Sequence, residues 1–196
     1  MTSLKRTERS RALILDAAES AFRELGFDRA SVQEIASRAG LTRKTAYNLF
    51  GSKEEIAHTL IARAEAQDAG YRACIAAEQD AVALLETVLI DSAHWCLANA
   101  ALAKLALAPS ERPTLVPPPH RPSFQGLVRD ILVLGQKQGR IRKDEAAEFM
   151  ALVMLGVFGQ LMLSALHMGE VPATDVRKIV RLMVEGIGDG VSPKPQ

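Results

Sequence analysis

The stretch SVQEIASRAGLTRKTAYNLFGSKEEI, from Ser31 to Ile56, decides the fold of the N-terminal part of this chain. Ser31, with Glu34 three residues later, is a capping-box pattern and predicts a short helix over residues 32–38. Gly40 predicts a tight turn after this helix, because glycine adopts left-handed backbone angles at little cost. Another short segment follows the turn at once, so the sequence predicts two short helices that lie close together.

The second short helix has two contrasting faces. Thr42 is its predicted N-cap, and we expect the helix over residues 43–50. Ala46, Leu49 and Phe50 form a small apolar inner face. The outer face carries hydrogen-bonding side chains within two turns: Arg43, Lys44, Thr45, Tyr47 and Asn48. Two helices arranged in this way form a helix-turn-helix, in which the first helix braces the second in the DNA major groove.

The positive charge of the chain is concentrated where a DNA interface needs it. The net charge of the 196 residues is only +1. Residues 1–53 contain ten Lys and Arg against six Asp and Glu, whereas the remainder contains fourteen against seventeen. The first part is therefore positive and the rest negative, which favours an N-terminal DNA-contacting domain.

The remaining sequence also predicts helices, since alanine and leucine are plentiful while aromatic residues make up only 5%. Apolar spacing and capping residues predict them over residues 9–25, 53–77, 80–100, a short segment ending at 108, 123–138, from a cap at Asp144 to Met168, and 174–188. Six prolines between residues 109 and 122 predict a loop. The sequence therefore predicts an all-α protein with a helix-turn-helix domain at 1–52, a larger helical domain at 53–190 and a flexible tail at 191–196.

One segment is apolar enough to raise a membrane-span interpretation. Residues 149–169 contain no charged side chain, and this length suffices to cross a bilayer. The segment also contains Gln160, Ser164 and His167, and no cluster of Lys and Arg follows it. Helices that are apolar on all sides also occur in soluble cores, so the sequence favours a buried or dimer-interface helix and no membrane partner.

No set of side chains in the sequence predicts catalysis or metal binding. The histidines are scattered along the chain at His58, His94, His120 and His167, and no glycine-rich phosphate loop follows a strand pattern. Cys74 and Cys96 lack metal-ligand spacing and are typical of reduced thiols, and the polar N-terminus does not resemble a signal peptide. We therefore expect a cytoplasmic protein that is not an enzyme and that holds no cofactor or metal.

The stretch from Ser31 to Ile56 resembles the signature of TetR-family transcriptional regulators. Its most specific part is the aromatic pair Tyr47 and Phe50, followed by Gly51-Ser52-Lys53-Glu54, and the resemblance extends over residues 9–60. It implies a three-helix DNA-binding domain, a larger helical ligand-binding and dimerisation domain, and a homodimer on a palindromic double-stranded operator. It favours a repressor over an activator, released from DNA by an unknown small-molecule effector.

The resemblance implies DNA contacts for nine residues: Ser31, Gln33, Thr42, Arg43, Lys44, Thr45, Tyr47, Asn48 and Lys53. Ser31, Gln33, Tyr47, Asn48 and Lys53 would contact phosphates, Lys53 with the help of a helix N-terminus. Thr42, Arg43, Lys44 and Thr45 would face the groove. Because the arginine fork donates to O6 and N7 of guanine together, Arg43 is the leading base reader and Lys44 the second. A phosphate contact by Arg43 and a packing role for Tyr47 stay open as alternatives.

The later helices carry positions that the resemblance implies for a ligand pocket and a dimer interface. The candidate pocket residues are Asp91, His94, Trp95, Phe124 and Met154. The candidate interface residues are Phe158, Met162, Val176, Ile179, Val180 and Met183. A core position for Trp95 and a surface position for His94 are the simpler interpretations of those two residues. Two alternative functions also stay open: a constitutive DNA-binding dimer without a ligand, and a helical enzyme with a vestigial DNA-binding domain.

Overall fold

The computed structural model describes residues 2–108, 123–170 and 173–186, with side chains from residue 5 onward. All regular secondary structure in these ranges is α-helical, which confirms the predicted fold class. The helices are α1 (Thr2–Leu25), α2 (Val32–Arg38), α3 (Arg43–Leu49), α4 (Lys53–Glu65), α5 (Ala69–Ala76), α6 (Ala81–Ala98), α7 (Ala100–Ala106), α8 (Phe124–Lys137), α9 (Ala147–Met168) and α10 (Ala173–Glu185). The predicted proline-rich loop and the predicted tail at 191–196 lie outside the described residues.

The helix predicted over residues 53–77 is wrong, because the structure divides it into α4 and α5. Asp68 and Gly70 lie at the start of α5, and both residue types are poor helix formers. The Asp68 side chain is buried and accepts a hydrogen bond from Arg72 Nε at 2.5 Å. It therefore makes a side-chain ion pair at the break and caps no amide of α5.

The predicted cap of α9 at Asp144 is also wrong, since α9 begins at Ala147 and Ala146 is its N-cap. Both carboxylate oxygens of Asp144 accept hydrogen bonds from Arg142, each at 2.7 Å. The hydrogen bond from Arg142 lowers the pKa of Asp144 to about 2. Asp144 therefore pairs within the loop that precedes the helix.

The described helices form two compact units. The first contains α1 to α4 and α7, and the second contains α5, α6 as far as Leu97, α8, α9 and α10. Helix α4 packs against α1 and α7, so it belongs by its contacts with the helix-turn-helix. The compact unit thus extends beyond residue 52, while the functional boundary at that residue stays a prediction.

The core of the first unit joins α1 to the two short helices. Ile14 and Phe22 of α1, Ile35 of α2, and Ala46 and Phe50 at α3 are each at most 2% exposed. Burial of a large apolar side chain stabilises a fold by about 1.5–3 kcal/mol. Helices of seven residues are not stable alone, so α2 and α3 depend on this packing.

The second unit is organised around α8 and α9. Leu85 of α6, Ile131 of α8, and Met154 and Met162 of α9 are at most 2% exposed. The backbone comes close at Gly135, where an added Cβ would lie 2.5 Å from Ile141 Cδ1. By length and composition alone, α6 and α9 could each cross a membrane, but each buries part of its surface in the protein.

Candidate nucleic-acid interface

The helix-turn-helix is capped as the sequence predicts. Ser31 Oγ accepts a hydrogen bond from the Glu34 amide at 3.1 Å, and Thr42 Oγ1 accepts one from the Thr45 amide at 3.1 Å. Between the helices, Gly40 has a φ of +66°, the left-handed conformation that glycine adopts without strain. These contacts fix where α2 ends and where α3 begins.

The two faces of α3 differ as predicted. Ala46 is 0% exposed, whereas Arg43, Lys44, Tyr47 and Asn48 are exposed. The Arg43 guanidinium lies 5.3 Å from the centre of the Tyr47 ring. This row of donor side chains, which we call the α3 face (Arg43, Lys44, Tyr47 and Asn48), has the chemistry that binds base edges and phosphates.

The other residues near α2 and α3 that are predicted to contact DNA differ in their exposure and in their hydrogen bonds within the protein. Ser31, Gln33 and Thr42 are exposed, and Thr45 is half-buried. The hydroxyl groups of Thr42 and Thr45 lie within hydrogen-bond distance of each other, at 2.9 Å. Ser31 and Thr42 already serve as caps, so each hydroxyl has a structural role in addition to any contact with DNA.

Lys53, predicted to contact a phosphate, is half-buried at the start of α4. Its Nζ donates a hydrogen bond to the carbonyl of Phe27 at 2.7 Å and a longer one to that of Asp28 at 3.4 Å. The same ammonium lies 4.2 Å from the centre of the Phe27 ring. Lys53 therefore fastens the α1–α2 connection to α4 and has one N–H left for another acceptor.

Arg11 of α1 also contacts a backbone carbonyl and an aromatic ring, and the sequence predicts no role for it. Its Nη1 donates a hydrogen bond to the carbonyl of Leu49, the last residue of α3, at 2.5 Å. Its guanidinium lies 4.1 Å from the centre of the buried Phe50 ring. In the sequence, the only sign of this role is the positive charge of Arg11 beside the apolar stripe of α1. That charge does not identify the Leu49 carbonyl as the acceptor.

Other cations of the first unit are occupied by carboxylates. Arg38 forms ion pairs with Glu24 at 2.7 Å and with Glu34 at 2.8 Å. The hydrogen bond from Arg38 lowers the pKa of Glu24, which keeps that carboxylate ionised. Arg38 is therefore a structural cation, in contrast to Arg43 and Lys44, for which no ion pair exists among the described residues.

The five predicted pocket residues lie on α6, α8 and α9 of the second unit. Met154 is buried, Trp95 and Phe124 are half-buried, and Asp91 and His94 are exposed. Asp91 accepts a hydrogen bond from the Tyr71 hydroxyl at 2.7 Å. Burial is the main cause and this hydrogen bond the second cause of a raised pKa of Tyr71, which is about 12. No local pattern in the sequence points to Tyr71, since its partner lies twenty residues away.

An open groove of about 680 Å³ lies elsewhere in the second unit, along α6 and α10. Its lining is rich in cations and includes Glu86, Arg140, Arg177, Lys178 and Arg181. None of the five predicted pocket residues lines this groove. A ligand site at those five residues thus stays a prediction.

Four of the residues predicted for the dimer interface are buried within the protomer. Phe158, Met162, Val176 and Val180 are at most 4% exposed and pack within the protomer, so they leave no surface for a partner. Ile179 and Met183 are half-buried. The exposed apolar side chains of the same helices are different ones: Phe149, Val153, Val157 and Met168 of α9 and Leu182 of α10. Helical periodicity located the apolar helices but not which apolar side faces inward.

The buried and exposed faces of α3, its caps and the turn before it define a helix-turn-helix domain of the kind that binds DNA. Residues 14–60 match the family model "Bacterial regulatory proteins, tetR family", and the chain matches no curated protein. The N-terminal domain of the chain is therefore similar to the DNA-binding domain of TetR-family transcriptional regulators.

Three solved structures share the fold over nearly the whole chain. FadR of Thermus thermophilus, a TetR-family repressor in complex with lauroyl-CoA, is 24% identical over 95% of this chain and 99% of its own, with a TM-score of 0.73. FadR of Bacillus subtilis, in complex with stearoyl-CoA, is 19% identical over 90% and 99%, with a TM-score of 0.69. RolR, in complex with resorcinol, is 18% identical over 98% of each chain, with a TM-score of 0.65.

Proposed function

We propose that this protein is a ligand-responsive transcriptional regulator: a cytoplasmic homodimeric repressor that a small-molecule effector releases from a palindromic operator. The observation that carries this proposal is the α3 face, whose exposed donors lie opposite the buried Ala46. The family match over residues 14–60 supports the same role.

On DNA, the α3 face enters the major groove, where some of its side chains contact bases and others contact the phosphate backbone. Arg43 reads guanine through its two-pronged donor group, and Lys44 reads a neighbouring base. Tyr47 donates a hydrogen bond from its hydroxyl to a phosphate, and Ser31, Gln33 and Asn48 also contact phosphates. Thr42 and Thr45 face the groove. The remaining N–H of Lys53 points to a phosphate near the N-terminus of α4, where the helix dipole favours an anion.

The homodimer forms through the apolar side chains that α9 and α10 leave exposed. Phe149, Val153 and Val157 follow one another at a spacing of four residues along α9, and each is at least 37% exposed. Leu182 adds an exposed apolar side chain on α10. A two-fold dimer would place two α3 helices about 34–36 Å apart, or a multiple of this distance, and would therefore read a palindrome.

The effector binds the second unit at Asp91, His94, Trp95, Phe124 and Met154, the pocket residues that the resemblance to TetR-family regulators implies. The ligands of solved relatives support two chemical classes, since FadR proteins bind lauroyl-CoA or stearoyl-CoA and RolR binds resorcinol. An effector must bind the DNA-free form more tightly than the DNA-bound form, and couplings of this kind are typically about 1–3 kcal/mol.

Fluorescence anisotropy with a selected operator tests the proposal. An operator is first selected from random-sequence duplexes with the wild-type protein, and binding is then titrated with lauroyl-CoA, stearoyl-CoA and resorcinol as probes. We expect one probe class to weaken operator binding by about 5–150-fold, the range of such couplings. Specific binding that no probe or wider ligand panel changes would favour a constitutive DNA-binding dimer, and failure to select any sequence would refute DNA regulation.

A further inference from the structure

We infer that Arg11 is a positioning residue for DNA recognition: it holds the C-terminal end of α3 and thereby orients the α3 face, without contacting DNA itself. This inference rests on the proposed function. It concerns a residue of α1 that lies 38 positions before its acceptor in the sequence.

The contacts of Arg11 meet two needs of α3 at once. The last carbonyls of a helix have no partner within it, and Arg11 Nη1 donates to the carbonyl of Leu49 at 2.5 Å. The guanidinium also lies 4.1 Å from the centre of the Phe50 ring, which is 1% exposed. A cation at a helix C-terminus is further favoured by the helix dipole.

Such support matters because α3 has only seven residues. A helix of this length has no stable orientation of its own, so the positions of Arg43 and Tyr47 depend on the anchors at its two ends. Thr42 caps the N-terminal end, and Arg11 with Phe50 holds the C-terminal end. Recognition of a base by a bidentate arginine requires good geometry at both hydrogen bonds.

The same contacts occupy Arg11 and distinguish it from a phosphate-binding cation. Arg11 is half-buried, with its donor on a carbonyl and its guanidinium over an aromatic ring. Arg9, two residues earlier on α1, is exposed and has no partner among the described residues. Arg9 therefore provides a matched control that removes the same charge from the same helix.

The test compares Arg11→Met, Arg11→Lys and Arg9→Gln with the wild type. For each variant, affinity for the selected operator and for random duplex DNA is measured across a range of salt concentrations. Circular dichroism melts set a common temperature at which every variant is fully folded. Methionine keeps packing against Phe50 but removes the donor and the charge, whereas lysine keeps the charge and one donor.

We expect Arg11→Met to bind the operator about tenfold more weakly, the factor that corresponds to one lost charge-assisted hydrogen bond. Its affinity for random DNA and its salt slope stay as in the wild type, because no phosphate contact is lost. The operator affinity of Arg11→Lys lies between those of the wild type and Arg11→Met. Arg9→Gln keeps the wild-type ratio of specific to random binding.

Two results would overturn the inference. A fall of equal factor on both DNAs, with the slope reduced by about 0.9, would make Arg11 a phosphate contact. An unchanged ratio of specific to random binding in Arg11→Met would leave it without a positioning role. If Arg11→Met does not fold, Arg11→Lys decides: a ratio below the wild type supports the inference, and an equal ratio refutes it. A wild-type protein that selects no operator refutes the proposed function instead.

Discussion

Lys53 has a structural role within the protein and a proposed role as a phosphate contact, and two measurements on one variant test them separately. The hydrogen bond to the Phe27 carbonyl at 2.7 Å is of full strength, whereas the one to Asp28 at 3.4 Å is long. Hydrogen bonds to charged groups contribute about 1.5–3 kcal/mol, and a cation over an aromatic ring about 0.5–1 kcal/mol at exposed sites. After discounting for the half-exposed position, we expect Lys53→Met to lower the free energy of unfolding by ~2 kcal/mol.

The assay combines two measurements on the same variant. A loss of ~2 kcal/mol lowers the melting temperature by about 4–8 °C for a chain of this size. Removing one phosphate contact also flattens the plot of log affinity against log salt by about 0.9. Glu54→Gln serves as a control, because Glu54 is the exposed neighbour and has no partner among the described residues.

Each measurement can fail by itself. Unchanged stability would mean that the carbonyl and ring contacts of Lys53 contribute nothing to the fold. A salt slope equal to that of the wild type would remove Lys53 from the phosphate contacts and leave it as a fastener of the α1–α2 connection. If neither stability nor the salt slope changes, Lys53 has neither the structural role nor the phosphate contact.

Three further predictions follow from single side chains. Arg43→Ala should lower affinity for the selected operator by about 1–3 kcal/mol and relax the preference at one base pair. Repeated selection from random DNA measures this preference, and an unaltered preference would make Arg43 a phosphate contact. Val157→Glu should convert the dimer to monomers in analytical ultracentrifugation, whereas Gln67→Glu, which adds the same charge at an exposed position before α5, should not; dimers in both variants would place the interface elsewhere. Tyr71 has its pKa raised from 10.0 to about 12, so its contribution to stability is present below pH 10 and is lost as the pH rises through 12. Urea unfolding from pH 9 to 12 should show this loss in the wild type and not in Tyr71→Phe, and identical pH profiles would exclude the contribution.

The parts of the molecule that the sequence predicts well are those determined by neighbours along the chain. Ser31 and Thr42 each meet an amide three residues later, so a local pattern suffices to locate α2 and α3. The sequence does not predict the division between α4 and α5, because a contact at this break is not local. Asp68 pairs with Arg72, and Arg72 also donates a hydrogen bond to Asp130 of α8. A contact across 58 residues leaves no periodic signal.

The candidate site shows the same division. The α3 face follows from helical spacing over a few residues, and its exposure was predicted. The acceptor of Arg11 lies 38 residues away and that of Lys53 lies 26 residues away. In the sequence Arg11 is merely part of a positive N-terminal region and Lys53 is a predicted phosphate contact. Only the folded chain shows that both donate to carbonyls and lie over aromatic rings.

These contacts separate the side chains proposed to read DNA from the side chains that support them in the fold. Arg43 and Lys44 are exposed and contribute no described ion pair, so we expect their substitution to change DNA preference at little cost to the fold. Arg11 and Lys53 instead join α1 to α3 and the α1–α2 connection to α4, and both pack against an aromatic ring. Since α2 and α3 have seven residues each, their orientation comes from these fasteners and from the core. Changes at Arg11 and Lys53 should therefore act on every operator alike through geometry and stability, whereas changes at Arg43 should redirect which operator is bound.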